Sequence, residues 1–117
     1  MTFPNEENEQ HFTKEQYPGI NNTIKFSEKL NMGYRWYDSH NVEPAYPFGH
    51  GLSYTTFDYK NETLGVSANK TVSLSVMNNG TRPGKEVVQL YLGFPASAGE
   101  PPKLLKGFQK ISLMPGE

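Results

Sequence analysis

The sequence predicts a mainly β protein, in which an extended, Pro/Gly-rich connector precedes an incomplete β-sandwich. Three observations carry this. The second half holds four segments rich in β-branched and aromatic residues or alternating in polarity. Clusters of Asn, Gly and Pro separate those segments, as turns require. The middle of the chain mixes prolines and glycines with aromatic rings, a composition unlike that of a flexible linker.

The elements follow in order. Residues 1–22 are polar, broken by Pro4 and by Tyr17-Pro18-Gly19, and read as irregular. Ile24, Phe26, Leu30, Met32, Tyr34 and Trp36 all occupy even positions, interrupted only by Glu28. A period of two puts them on one face of an extended chain, so a strand-like segment is expected there. In 38–51 prolines remove backbone donors and fix φ, so residues 23–51 as a whole read as an ordered connector. The β unit is expected over 52–117, with strands at 52–59, 71–78, 85–94 and 103–114. Val72, Leu74 and Val76 should face inward, Thr71, Ser73 and Ser75 outward. Val88, Leu90 and Leu92 share one face of the third strand; Ile111 and Leu113 share one face of the fourth, where Gly107 suggests a bulge or kink. A sandwich of this kind uses about seven strands. Four leave the second sheet short, with open edges and apolar faces.

Composition narrows the partners. The 117 residues carry 11 Lys and Arg against 12 Asp and Glu, a net charge of −1, and the pI is near 6.3. This gives no electrostatic footprint for nucleic acid or an anionic membrane. Neutral partners remain, such as sugars or other protein surfaces. The chain has no cysteine, hence neither disulfides nor thiolate metal ligands. No run approaches the roughly 18 apolar residues of a membrane span. Met1 to Gln10 are too polar for a signal peptide. Sequons at Asn21, Asn61, Asn69 and Asn79 nevertheless point to an extracellular or secretory-pathway protein, the alternative being that Asn and Thr crowd together in turns.

Candidate chemistry is sparse. Acid/base catalysis by paired carboxylates needs two of them flanking one bond, and none of the acidic residues has the context of a built active site; Glu6, Glu7 and Glu9 read as a solvated run. His11, His40 and His50 match no metal-ligand spacing. Asp38, Ser39 and His40 contain the residue types of a hydrolytic triad, but three consecutive residues cannot all face one another. No catalytic, cofactor-binding or metal residue is therefore assigned. Tyr34, Trp36, Tyr37, Tyr46 and Phe48 form the most plausible functional surface. Such rings either stack on sugar faces or pack between domains, where aromatics dominate burial.

The motif GYRWYD (33–38) leads into YPFGHGLSYTTFDY (46–59). Farther on, Asn78, Gly80, Arg82, Gly84 and Glu86 to Tyr91 fit N-x-G-x-R-x-G-x-EVVQLY, and LKGFQKISLMPGE closes the chain (105–117). With Thr2-Phe3-Pro4 and Tyr17-Pro18-Gly19 upstream, these motifs resemble the C-terminal region of family 3 glycoside hydrolases, chiefly β-glucosidases. The resemblance implies that residues 1–22 end an upstream α/β-sandwich domain and that 52–117 form a fibronectin type III-like (immunoglobulin-like) domain truncated at its C-terminus. It also implies a parent enzyme hydrolysing terminal β-glycosides, whose nucleophilic Asp and acid/base Glu lie upstream. The chain alone is then a non-catalytic part supporting those catalytic domains, with residues 24–48 as a strap between domains. The alternatives are a carbohydrate-binding module using the aromatic cluster and a structural β domain for protein association.

Overall fold

The computed structural model describes residues 1–6, 9, 12–65 and 70–117. The elements are α1 (Tyr34–His40), β1 (Phe57–Gly65), β2 (Thr71–Asn78), β3 (Gly84–Gly93), a short 3-10 turn (Ala96–Ala98) and β4 (Lys103–Leu113). Two two-stranded sheets result, β1 with β2 and β3 with β4, so the described chain is mainly β. It divides into two compact units. The first contains Met1–His50 and Leu90–Gly107, the second Gly51–Gln89 and Phe108–Glu117.

In the first unit the expected strand over 24–36 is corrected. Residues 27–30 form a turn, Lys29 adopts φ 53°, and Gly33 enters α1 with φ 56° and ψ −134°. The alternation fails because Tyr37, at an odd position, is also buried, at 2% exposure. A helix puts Tyr34 and Tyr37, three apart, on one side, which no strand can do. Tyr34 and Asp38, four apart, then both meet the 91–105 segment: the Leu105 amide donates to the Tyr34 hydroxyl at 3.0 Å, and Lys103 Nζ lies 3.2 Å from Asp38 Oδ1. Asn41 closes the helix in the left-handed region at φ 53°, and the Val42 amide returns to the Tyr37 carbonyl at 3.0 Å.

Tyr37 also anchors a polar cluster. Its hydroxyl donates to Glu9 Oε2 at 3.1 Å, while the Asn5 backbone N–H and side-chain amide donate to the two Glu9 oxygens at 2.9 and 3.2 Å. Desolvation opposes ionisation of Glu9, but the bonds from Asn5 and then Tyr37 outweigh it and hold its carboxyl below the usual range.

The second unit holds the β1–β2 sheet. The two strands pair antiparallel, from Phe57 opposite Asn78 to Gly65 opposite Thr71. Val72, Leu74 and Val76 are half-buried and Thr71, Ser73 and Ser75 exposed, as the alternation predicts. The first strand starts later than expected, at Phe57 instead of Leu52, because the hydroxyls of Thr55 and Thr56 turn to Asn78 and Asn79 at 2.7 and 2.5 Å. It also runs on through the polar 60–65 stretch. A register shift between Lys60 and Thr63 admits Asn61 at φ 56°, so the bulge in the described pairing is in β1. In the first unit, Gly107 has no left-handed φ, and a methyl added there would meet Leu90 at 3.9 Å. The Tyr59 hydroxyl joins β1 to β3 through Glu86 Oε1 at 2.7 Å. Partial burial of the ring, then this bond and the Glu86 charge, push the hydroxyl well above the usual tyrosine range.

Asn78 is fully buried, and its side chain is completely used. Oδ1 accepts from the Thr55 hydroxyl (2.7 Å) and the Gly80 amide (3.1 Å); Nδ2 donates to the carbonyls of Arg82 (2.8 Å) and Leu113 (3.2 Å). The Asn78 backbone pairs with the chain end, its amide to the Glu117 carbonyl at 2.9 Å and its carbonyl with the Gly116 amide at 2.8 Å. Gly80 and Gly84 both lie so close to Thr55 that a methyl at either would collide with that side chain.

Two measurements check these clusters. Asn78→Ala strands two donors and two carbonyls, so chemical denaturation should show a loss of about 2–4 kcal/mol. Thermal unfolding followed against pH should show the Glu9 cluster as an acid-side effect. A carboxyl lowered by folding stabilises above its unfolded value, 4.5, and that contribution disappears as pH falls through the folded value. Glu9→Gln should flatten this part of the acid limb.

Candidate functional site

The five aromatic residues singled out by sequence all lie in the first unit, but they form three local groups instead of one platform. Tyr34 meets Tyr91 edge-on at 5.6 Å and Phe48 at 6.1 Å. Lys103 Nζ sits 5.6 Å from the Tyr91 ring centre and also pairs with Asp38. Burial first, then the nearby Tyr34 and Asp38 charges, raise the Tyr91 hydroxyl above its ordinary value. Trp36 packs edge-on to Tyr37 at 5.3 Å and is stacked on His40 at 4.3 Å, four residues along the helix. Tyr46 pairs with Phe3, backbone to backbone and ring to ring at 6.4 Å, and has His50 5.0 Å away. Tyr37 is buried, whereas Tyr46 and Phe48 are exposed.

The triad-like residues do not assemble. Ser39 Oγ lies 3.0 Å from His40 Nδ1, and both atoms also contact the Trp36 carbonyl. Asp38 instead turns to Lys103. Its Oδ2 is closed to solvent and accepts no hydrogen bond. Among the described residues no three His, Asp or Glu converge on a metal position. His11 and Glu7 lie outside the described residues.

The sequons also differ. Asn21 and Asn61 are exposed and take left-handed φ of 49° and 56°. Asn79 has its amide engaged, accepting from the Thr56 hydroxyl and donating to Asp58 Oδ1 at 2.8 Å. Asn69 lies outside the described residues.

Three concave surfaces stand out that the sequence does not mark. One, of about 350 Å³ in the first unit, is lined by residues 27–31, Ser39 and residues 99–102. In the first unit a cavity of about 280 Å³ lies between residues 12–17 and 26–36, walled by Phe12, Tyr17, Phe26 and Trp36 with Glu28 among its polar residues. The alternation marks Phe26 and Trp36. Tyr17 carried only a turn signal, and Glu28 looked like a break in the pattern. In the second unit a wider trough of about 760 Å³ runs past Leu52, Tyr54 and Val87, with Arg82, Lys85 and Lys110 as its charged residues. Tyr54 is 98% exposed. The 280 Å³ cavity and the trough each offer aromatic faces and hydrogen-bonding groups suited to binding.

Comparison with known proteins places this geometry. Residues 86–117 match the fibronectin type III-like domain family. Over 114 residues the chain is 42% identical to the beta-glucosidase BoGH3A of Bacteroides ovatus, covering 92% of this chain and 15% of that protein. Against the thermostable beta-glucosidase B of Acetivibrio thermocellus it is 46% identical over 107 residues, covering 86% of this chain and 14% of that protein. The solved DesR beta-glucosidase of Streptomyces venezuelae, crystallised with D-glucose, superposes with a TM-score of 0.85 at 41% identity, covering 99% of this chain and 16% of that one. The GH3 beta-glucosidase of Bifidobacterium adolescentis gives 0.82 at 33% identity, covering 100% of this chain and 18% of that one. The chain thus spans about 15% of the length of the curated relatives it matches. It belongs to the family 3 glycoside hydrolases as a C-terminal region of the β-glucosidase-like members, including their fibronectin type III-like domain.

Proposed function

We propose that this region has a supporting, non-catalytic role in a hydrolase of terminal β-linked glycosides, presenting apolar faces to the catalytic domains upstream. The observation that carries this is the exposure of its large apolar side chains. Among the described residues Tyr54 is 98% exposed, Phe108 76% and Leu52 71%, while only Tyr37, Asn78 and Pro101 are buried. Exposed apolar surface on this scale fits a chain that meets other surfaces. The relatives supply the context, since each is several times longer than the matched part and carries a β-glucosidase name. Tyr34 fits the same role: it is half-buried within its own unit and keeps part of its ring available.

A chimera tests this reading. This chain should replace the matching region of the Acetivibrio thermocellus enzyme, at 46% identity, with retention of aryl β-glucoside turnover. The isolated 117-residue chain should give none. Tyr54→Asp in the chimera should lower its thermal midpoint and leave kcat close to that of the unmutated chimera. Turnover by the isolated chain, or a folded chimera without activity, contradicts the proposal.

A further inference from the structure

We infer that the 280 Å³ cavity of the first unit is a binding pocket for a neutral pyranose ring. The inference rests on the reading that this region works within a glycoside hydrolase. Three features of the pocket select the ligand. First, its walls are aromatic: Tyr17 and Phe26 form an open rim, at 71% and 81% exposure, and Trp36 lines the interior. His40 stacks on the Trp36 indole but does not line the cavity, so the surface Trp36 gives to the pocket is not the one His40 covers. Flat apolar rings of this kind match the C–H faces of a sugar.

Second, the polar lining has balanced charge. Glu28 and Lys29 contribute one charge of each sign, and Asn31 adds an amide. Among the described residues no ion pair joins Glu28 to Lys29. An acceptor, a cation and an amide around one small space suit a ring of hydroxyls, which both donate and accept, better than an ion of either sign. Third, Glu28 has an unmet demand. Its Oε2 is closed to solvent and accepts no hydrogen bond, an unfavourable state for a carboxylate oxygen. Glu28 lines both this cavity and the neighbouring one of about 350 Å³, and a hydroxyl bound in this one supplies the missing donor once the carboxylate turns toward it. The charge-assisted bond formed is of the stronger kind. The left-handed backbone of Lys29 (φ 53°) and of Gly33 (φ 56°) folds the chain into the turns that bring Phe26 and Trp36 to one cavity.

Trp36 is the only tryptophan and lines this pocket, so its emission reports on binding there. Titrating the 117-residue chain with methyl β-D-glucoside should change that emission saturably, while the open-chain polyol sorbitol should not. Glu28→Gln should weaken binding roughly tenfold, the loss of one charge-assisted bond. Phe26→Ala removes a side chain that is already exposed and should weaken binding without altering the far-ultraviolet circular dichroism. No saturable response to the glucoside from the folded chain overturns the inference, as does equal affinity in both variants. So does saturation by arginine amide with silence towards the glucoside, which would mark a socket for a cationic side chain. An active chimera together with a silent pocket would overturn this inference and leave the supporting role standing.

Discussion

The side-chain amide of Asn78 has two donors and two acceptor positions, and each is filled by a different stretch of chain. Thr55 comes from the approach to β1, Gly80 and Arg82 from the loop into β3, and Leu113 from the end of β4, while the Asn78 backbone holds Gly116 and Glu117. In a unit with so little buried apolar surface, this node performs the task that a hydrophobic core has in larger domains. A fully satisfied buried amide fixes one arrangement, since any shift leaves donors or carbonyls unpaired in a region closed to water. The close approach of Thr55 to Gly80 and Gly84 follows from the same demand, because the threonine must come near enough to donate to Asn78.

How legible this was depended on whether the signal was local. The β2 strand was clear because strict alternation of Val72, Leu74 and Val76 with hydroxyl residues has one reading. The loop from Asn78 to Gly84 was recognisable from its turn residues, yet its importance was not, since nothing in a single sequence says that an asparagine will be buried. The helix at 34–40 was hidden by a chance run of apolar residues at even positions. The decisive residue there was Tyr37, whose burial against the Glu9 cluster depends on contacts 28 residues away. The polar end of β1 was missed because Asn61 and Glu62 are poor strand residues, tolerated only at a bulge.

The candidate sites divide in the same way. Aromatic composition singles out one cluster on and after α1, where the fold makes three small groups. Glu28 carries no binding signal in the sequence, and what distinguishes it is a buried oxygen without a hydrogen-bond partner. Family membership was the most legible property, because GYRWYD, the GLSYT segment and the N-x-G-x-R-x-G loop are long and specific. The structure adds the reason for the last of these. Its asparagine is the buried node and its glycines clear the space beside it.

Amide hydrogen exchange on the isolated chain tests the primacy of the Asn78 node most directly. The amides of Asn78 and Gly116, both bonded at the node, should exchange slowest in the second unit and vanish together on global unfolding. Fast exchange at these two amides, with protection confined to the mid-strand pairs of β1 and β2, would contradict it.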